Sequence, residues 1–186
     1  MDLNWTTQLL EQLTWWWDNH TRPHLTGLSD EEYLWEPAPG MWSIRPRAEA
    51  RTATPVGAGD WICDFADPEP SPAPVTTIAW RLGHVIVGVF GMRNASHFGG
   101  PPVDYATYRW PATAADAQAA LEEAYRIWTE GVAGLDEVRL AAPVGPAEGP
   151  YAEYPFAALV LHINREALHH LAEVLLLRDL YAAQNR

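Results

Sequence analysis

Four stretches of the chain place apolar residues three and four positions apart, the spacing that puts them on one face of an α-helix. The first, over residues 3–28, carries Leu3, Trp5, Leu9, Leu10, Leu13, Trp16, Trp17 and Leu25, with Pro23 disturbing its last turn and Gly27 as a stop signal. The second, over 75–97, buries Ile78, Leu82, Val85, Ile86, Val89 and Phe90. Thr113 caps a third, which runs to about Gly134 on a stripe of Ala117, Ala120, Leu121, Ala124, Ile127, Trp128 and Val132. The last runs from near Tyr154 to Ala183. Ser29 followed by three acids opens one more, short helix, which Pro37 and Pro39 end. From there to Pro74 the chain is proline-rich and aperiodic, and only Arg139 to Val144 has any strand character. The pattern predicts an all-α fold: a four-helix bundle, with a long irregular loop between the first and second main helices, forming a single domain over 1–186.

Composition changes this picture little. The net charge of −12 repels phosphate backbones, which excludes general nucleic-acid binding. All twelve basic residues are arginine, and with sixteen prolines this is the composition of a GC-rich bacterial genome. The apolar run Leu82 to Met92 is too short to span a bilayer, and the N-terminus has no basic segment leading into an apolar one. A soluble, cytoplasmic protein is the expectation. Cys63 is the sole cysteine, so neither an intramolecular disulfide nor a cysteine-based zinc cluster is available.

The chemistry concentrates on the last helix, where His162, Glu166, His169, His170 and Glu173 interrupt a leucine-rich run. On a helical wheel of about 100° per residue with His162 at zero, Glu166 at about 40° and His170 at about 80° border the apolar face. His162, His169 and Glu173 fall at its margin. A carboxylate and an imidazole four apart can grasp one ion from adjacent turns, or pair with each other without any ion. Spacing alone leaves those readings even. A third donor on a facing helix tips the balance, and His84 is the one histidine or carboxylate deep in the apolar face of another helix. Glycines 83, 88 and 91 on the same helix remove bulk around it, for an approaching helix or a cavity.

Three segments carry a resemblance: Arg165 to Glu173 (REALHHLAE), Thr77 to His84 (TIAWRLGH), and Glu32 to Pro37 followed by Trp42 to Pro46. Together they resemble, in order, the DinB/YfiT-like superfamily of four-helix-bundle metal-binding proteins. The resemblance implies a divalent metal held by His84, His170 and, where the commonest pattern has histidine, Glu166. A His-Glu-His set is similar to that of the mycothiol-dependent maleylpyruvate isomerase branch, which uses zinc. It implies an enzyme in which the metal, zinc with nickel or iron as alternatives, activates a low-molecular-weight thiol for a transferase or isomerase reaction on a small molecule. His169 and Glu173 are expected to orient the ligands, and Trp42, Arg45 and Trp80 to line the substrate pocket. Two other functions remain open: metal-assisted hydrolysis through bound water, and a non-catalytic, stress-associated metal-binding bundle, dimeric through its first and third helices.

Overall fold

The computed structural model describes residues 3–185. Its first long helix runs from Trp5 through Leu25, capped by Asn4, whose side chain accepts from Thr7 N. The second runs from Ile78 to His97, the third is Ala114–Ala133, and the last is Phe156–Gln184. The second begins three residues later than the apolar pattern suggested. Thr77 is its cap, accepting from Trp80 N, and Pro74 and Val75 remain in the loop. Each of the first two helices packs on both the third and the last. The shared core is aromatic, with Trp17 stacked on Tyr125 at 3.8 Å and Phe90 against Trp128. Among the described residues no helix is long and apolar enough to cross a membrane.

Two helices are locally unwound. The stretches Trp17–Thr21 and Val85–Gly91 are π-helical, and the second of these directly follows His84. Such widened turns leave carbonyls out of the regular ladder. In the second, Gly88 O instead accepts from Arg93 Nη1 at 2.7 Å.

The proline-rich segment is ordered around a small hairpin that the period gave no hint of. Strands β1 (Ile44–Pro46) and β2 (Trp61–Cys63) pair antiparallel, with Arg45 opposite Ile62. Beneath them lies an ion cluster. The Arg45 guanidinium is 2.7 Å from Asp64 Oδ2 and 3.0 Å from Glu36 Oε1, and Ser43 N also donates to Asp64. Thr77 Oγ1 donates to Ser43 Oγ, which ties this cluster to the start of the second helix. Of the stretch 139–144, expected to pair weakly as strand, the first part belongs to a short helix, Glu137–Ala141, whose Asp136 cap accepts from Arg139 N, while Pro143 bridges Pro155 antiparallel and Val144 N donates to Tyr154 O.

Candidate metal centre

The second and last helices bring His84 and His170 edge to face, with ring centroids 4.7 Å apart. Both lie where their own helices are apolar, which explains how two imidazoles come to be largely buried. Burial holds the His84 pKa down to about 4, and the neighbouring His170 and Arg81 add to the effect. The His170 pKa is lowered too, again by burial, with partial compensation from Glu173. Both rings are therefore neutral near pH 7 and have a lone pair to offer.

Each ring has one nitrogen engaged. His84 Nδ1 is 2.6 Å from the Tyr105 hydroxyl, which leaves Nε2 as its free atom. Gly88 makes this contact possible: a Cβ there would lie 2.1 Å from Tyr105 Oη and 3.2 Å from His84 Nδ1. The glycines of this helix thus make room for the loop over 103–110 and not for another helix, since Gly83 faces Trp110 and Gly91 faces Val103. On the other side of His84 its ring stacks on Trp80 at 5.5 Å, and the Trp80 indole N–H donates to Asp64 O.

His170 Nδ1 lies 3.0 Å from Glu173 Oε2 and 3.2 Å from Arg81 Nη1. One nitrogen cannot donate to the carboxylate and accept from the guanidinium at once. Arg81 Nε is 2.9 Å from Glu173 Oε2, an ion pair without hydrogen-bond geometry that leaves Nε unpartnered, so Glu173 held by the Arg81 charge accepts from His170 N–H. That leaves His170 Nε2 facing Glu166 Oε2 at 3.5 Å. Glu166 is half-buried and meets His162 Nδ1 at 3.6 Å and Arg165 Nε at 3.4 Å through its other oxygen.

A second donor set overlaps the first. His169, His170 and Glu173 can each offer an atom such that all three lie within 4.8 Å of one another. His84 and Glu166 are not part of a group that close. His169 is exposed, and His162 nearly half exposed.

Of the residues expected to line a pocket, Trp80 forms a wall of the site and Trp42 sits behind it at 6.1 Å. Arg45 is 4 % exposed and spends its donors on Asp64, Glu36 and Met41 O, so it braces the loop. Arg81 and Tyr105 were missed. Arg81 lies in the same turn as Trp80, and Tyr105 in a connection with no periodic pattern to point to its hydroxyl.

The fold is a helical bundle, and its last helix carries one group of two histidines and a carboxylate, His169, His170 and Glu173, that could hold a metal ion. Residues 53–174 match the DinB superfamily, and the chain belongs to that superfamily. No curated protein and no solved structure matches it.

Proposed function

We propose that His84, Glu166 and His170 hold a divalent cation, zinc or else nickel or iron, and that the protein is a thiol-dependent transferase or isomerase. The observation that carries this reading is the edge-to-face pair of neutral imidazoles, His170 buried and His84 partly so, with the Glu166 carboxylate 3.5 Å from the free nitrogen of His170. The donor chemistry fits such an ion: two neutral nitrogens and one anionic oxygen, three protein ligands of the kind that leave a coordination position open. A divalent ion there supplies a Lewis acid that favours the thiolate form of a bound thiol such as mycothiol.

The protein's own residues do the rest. Tyr105 fixes the His84 ring so that Nε2 faces inward, and Glu173, held by Arg81, does the same for His170. Trp80 and Trp42 shield one side of the site from water. The set of His169, His170 and Glu173 is favoured by donor separation, but the Arg81 guanidinium already occupies Glu173 Oε2 and flanks His170 Nδ1, where a second cation would be repelled.

Metal content of purified variants separates the two sets. Glu166→Ala is expected to abolish stoichiometric binding with helicity intact, and His169→Ala to retain it; the reverse result refutes the inner set. Turnover of an electrophile such as 1-chloro-2,4-dinitrobenzene only with added thiol supports the transferase reading. Ester or amide cleavage without thiol replaces it by hydrolysis.

A further inference from the structure

Beside the candidate metal centre lies a cavity of about 470 Å³ that neither ligand set uses. It opens between the start of the last helix, the C-terminal part of the second and the turn around Tyr151. Its body is apolar and aromatic, formed by Val144, Leu159, Tyr151 and Tyr154. Its polar lining is Arg93, Arg165, Glu148 and His162.

Not every guanidinium donor here is engaged. Glu148 is 3.4 Å from Arg93 Nη2 and 3.0 Å from His97 Nε2, so it is already shared. Arg165 donates from both Nε and Nη2 to Glu166 Oε1, each at 3.4 Å, and from Nη2 at 2.7 Å to His162 Nδ1. Accepting at Nδ1 places the His162 proton on Nε2, which makes that ring a donor as well. Arg93 pairs with Glu148 and Arg165 with Glu166, yet Arg93 Nε is buried without a hydrogen-bond partner and the Arg165 side chain is 70 % exposed. A wall with unengaged guanidinium donors selects an anion, and an apolar body of this volume selects a single ring or short chain behind it.

We infer that this cavity binds a small carboxylate with an apolar or aromatic body, its carboxylate at Arg165 and His162 and its body between Leu159 and the two tyrosines. His162 and Arg165 both reach Glu166 Oε1, at 3.6 and 3.4 Å, so the bound acid lies next to the inner ligand set. As a binding site the cavity stands by itself; as the substrate pocket of the metal centre it rests on the assignment of His84, Glu166 and His170.

The test is calorimetric titration of the full chain with phenylacetate and with phenylacetamide, which keeps the ring and loses the charge. Titrating protein treated with a chelator removes metal coordination as a source of preference. The acid is expected to bind about tenfold more tightly than the amide, the worth of one charged hydrogen bond. Arg165→Gln, on an exposed side chain, should erase that preference, and Ala158→Phe, on the cavity wall, should weaken both ligands together. Equal binding of acid and amide, no binding of either, or an undiminished preference in Arg165→Gln overturns the proposal. Metal content measured on the same samples keeps the two readings apart. Wild-type protein that holds metal but shows no acid preference sinks the pocket alone. A Glu166→Ala protein that loses metal and keeps the preference supports the pocket as a ligand site.

Discussion

Gly88→Ala probes the joint between the second helix and Tyr105 most sharply. In a regular helix this change stabilises by about 1 kcal/mol, because alanine loses less backbone freedom. Here the new Cβ would sit 2.1 Å from Tyr105 Oη, 3.1 Å from Cζ and 3.2 Å from His84 Nδ1. The Tyr105 ring is wedged between Phe65 and Trp110, with centroids at 6.4 and 5.8 Å, so it cannot swing aside freely. Overpacking of this kind costs about 1–3 kcal/mol and the lost His84–Tyr105 hydrogen bond about 1 more. Set against the propensity gain, the net destabilisation is about 1–3 kcal/mol, or about 2–4 °C in Tm per kcal/mol for a domain of this size. Urea unfolding of the wild type, Gly88→Ala, Tyr105→Phe and the double variant forms the assay. Removing the hydroxyl removes the closest clash, so Gly88→Ala should cost about 1 kcal/mol less in the phenylalanine background. Metal affinity should fall about tenfold or more in each single variant, because His84 loses the partner that orients it. A Gly88→Ala protein more stable than wild type, or strictly additive changes, would refute the reasoning.

Three further outcomes follow from the loop and its cluster. Asp64→Asn leaves Arg45 buried without its main partner and should destabilise by about 3–5 kcal/mol in urea unfolding. Glu36 is pushed up by burial, but hydrogen bonds from Arg45 and Arg51 together outweigh this and hold its pKa below the ordinary 4.5. Its contribution is therefore fully present above the unfolded value and lost as pH falls through the lower folded one, so the stability gap between wild type and Glu36→Gln should be constant above about pH 5 and shrink below it. Cys63 is 1 % exposed in β2, and burial raises its thiol pKa. It should react with 5,5′-dithiobis(2-nitrobenzoate) only as fast as the protein unfolds; prompt labelling of the native chain would contradict its placement.

The long helices were legible because each carries an apolar stripe, to which the third adds a capping residue, Thr113. The hairpin was not, for a physical reason. Strands of three residues give the period-two pattern too little length to show. What holds them is a non-local contact, the Arg45–Asp64 pair, whose partners are separated by 19 positions in sequence. The same residue shows why chemistry alone misleads. An arginine among tryptophans in a loop reads as a substrate contact until its donors are counted, and all of those found are engaged with the loop's own acceptors. The helix expected at Val75 began late because Thr77 can cap and Val75 cannot.

The site was legible in proportion to how far a single helix determines it. The wheel places Glu166 and His170 at the edge of the apolar face, and the structure has His170 buried and Glu166 half-buried. Glu173 looked marginal because a wheel contains only one helix. Its role comes from the facing helix, and that much was within reach. Once His84 is set against His170, two antiparallel helices put the residue three back from the first opposite the residue three on from the second. Those are Arg81 and Glu173, which meet at 2.9 Å. The register therefore turns one matched pair into a second, and the second is a cation that anchors the carboxylate behind His170. Tyr105 has no such route: it reaches His84 from an aperiodic connection, and the only trace it leaves in the helix is the missing side chain at Gly88.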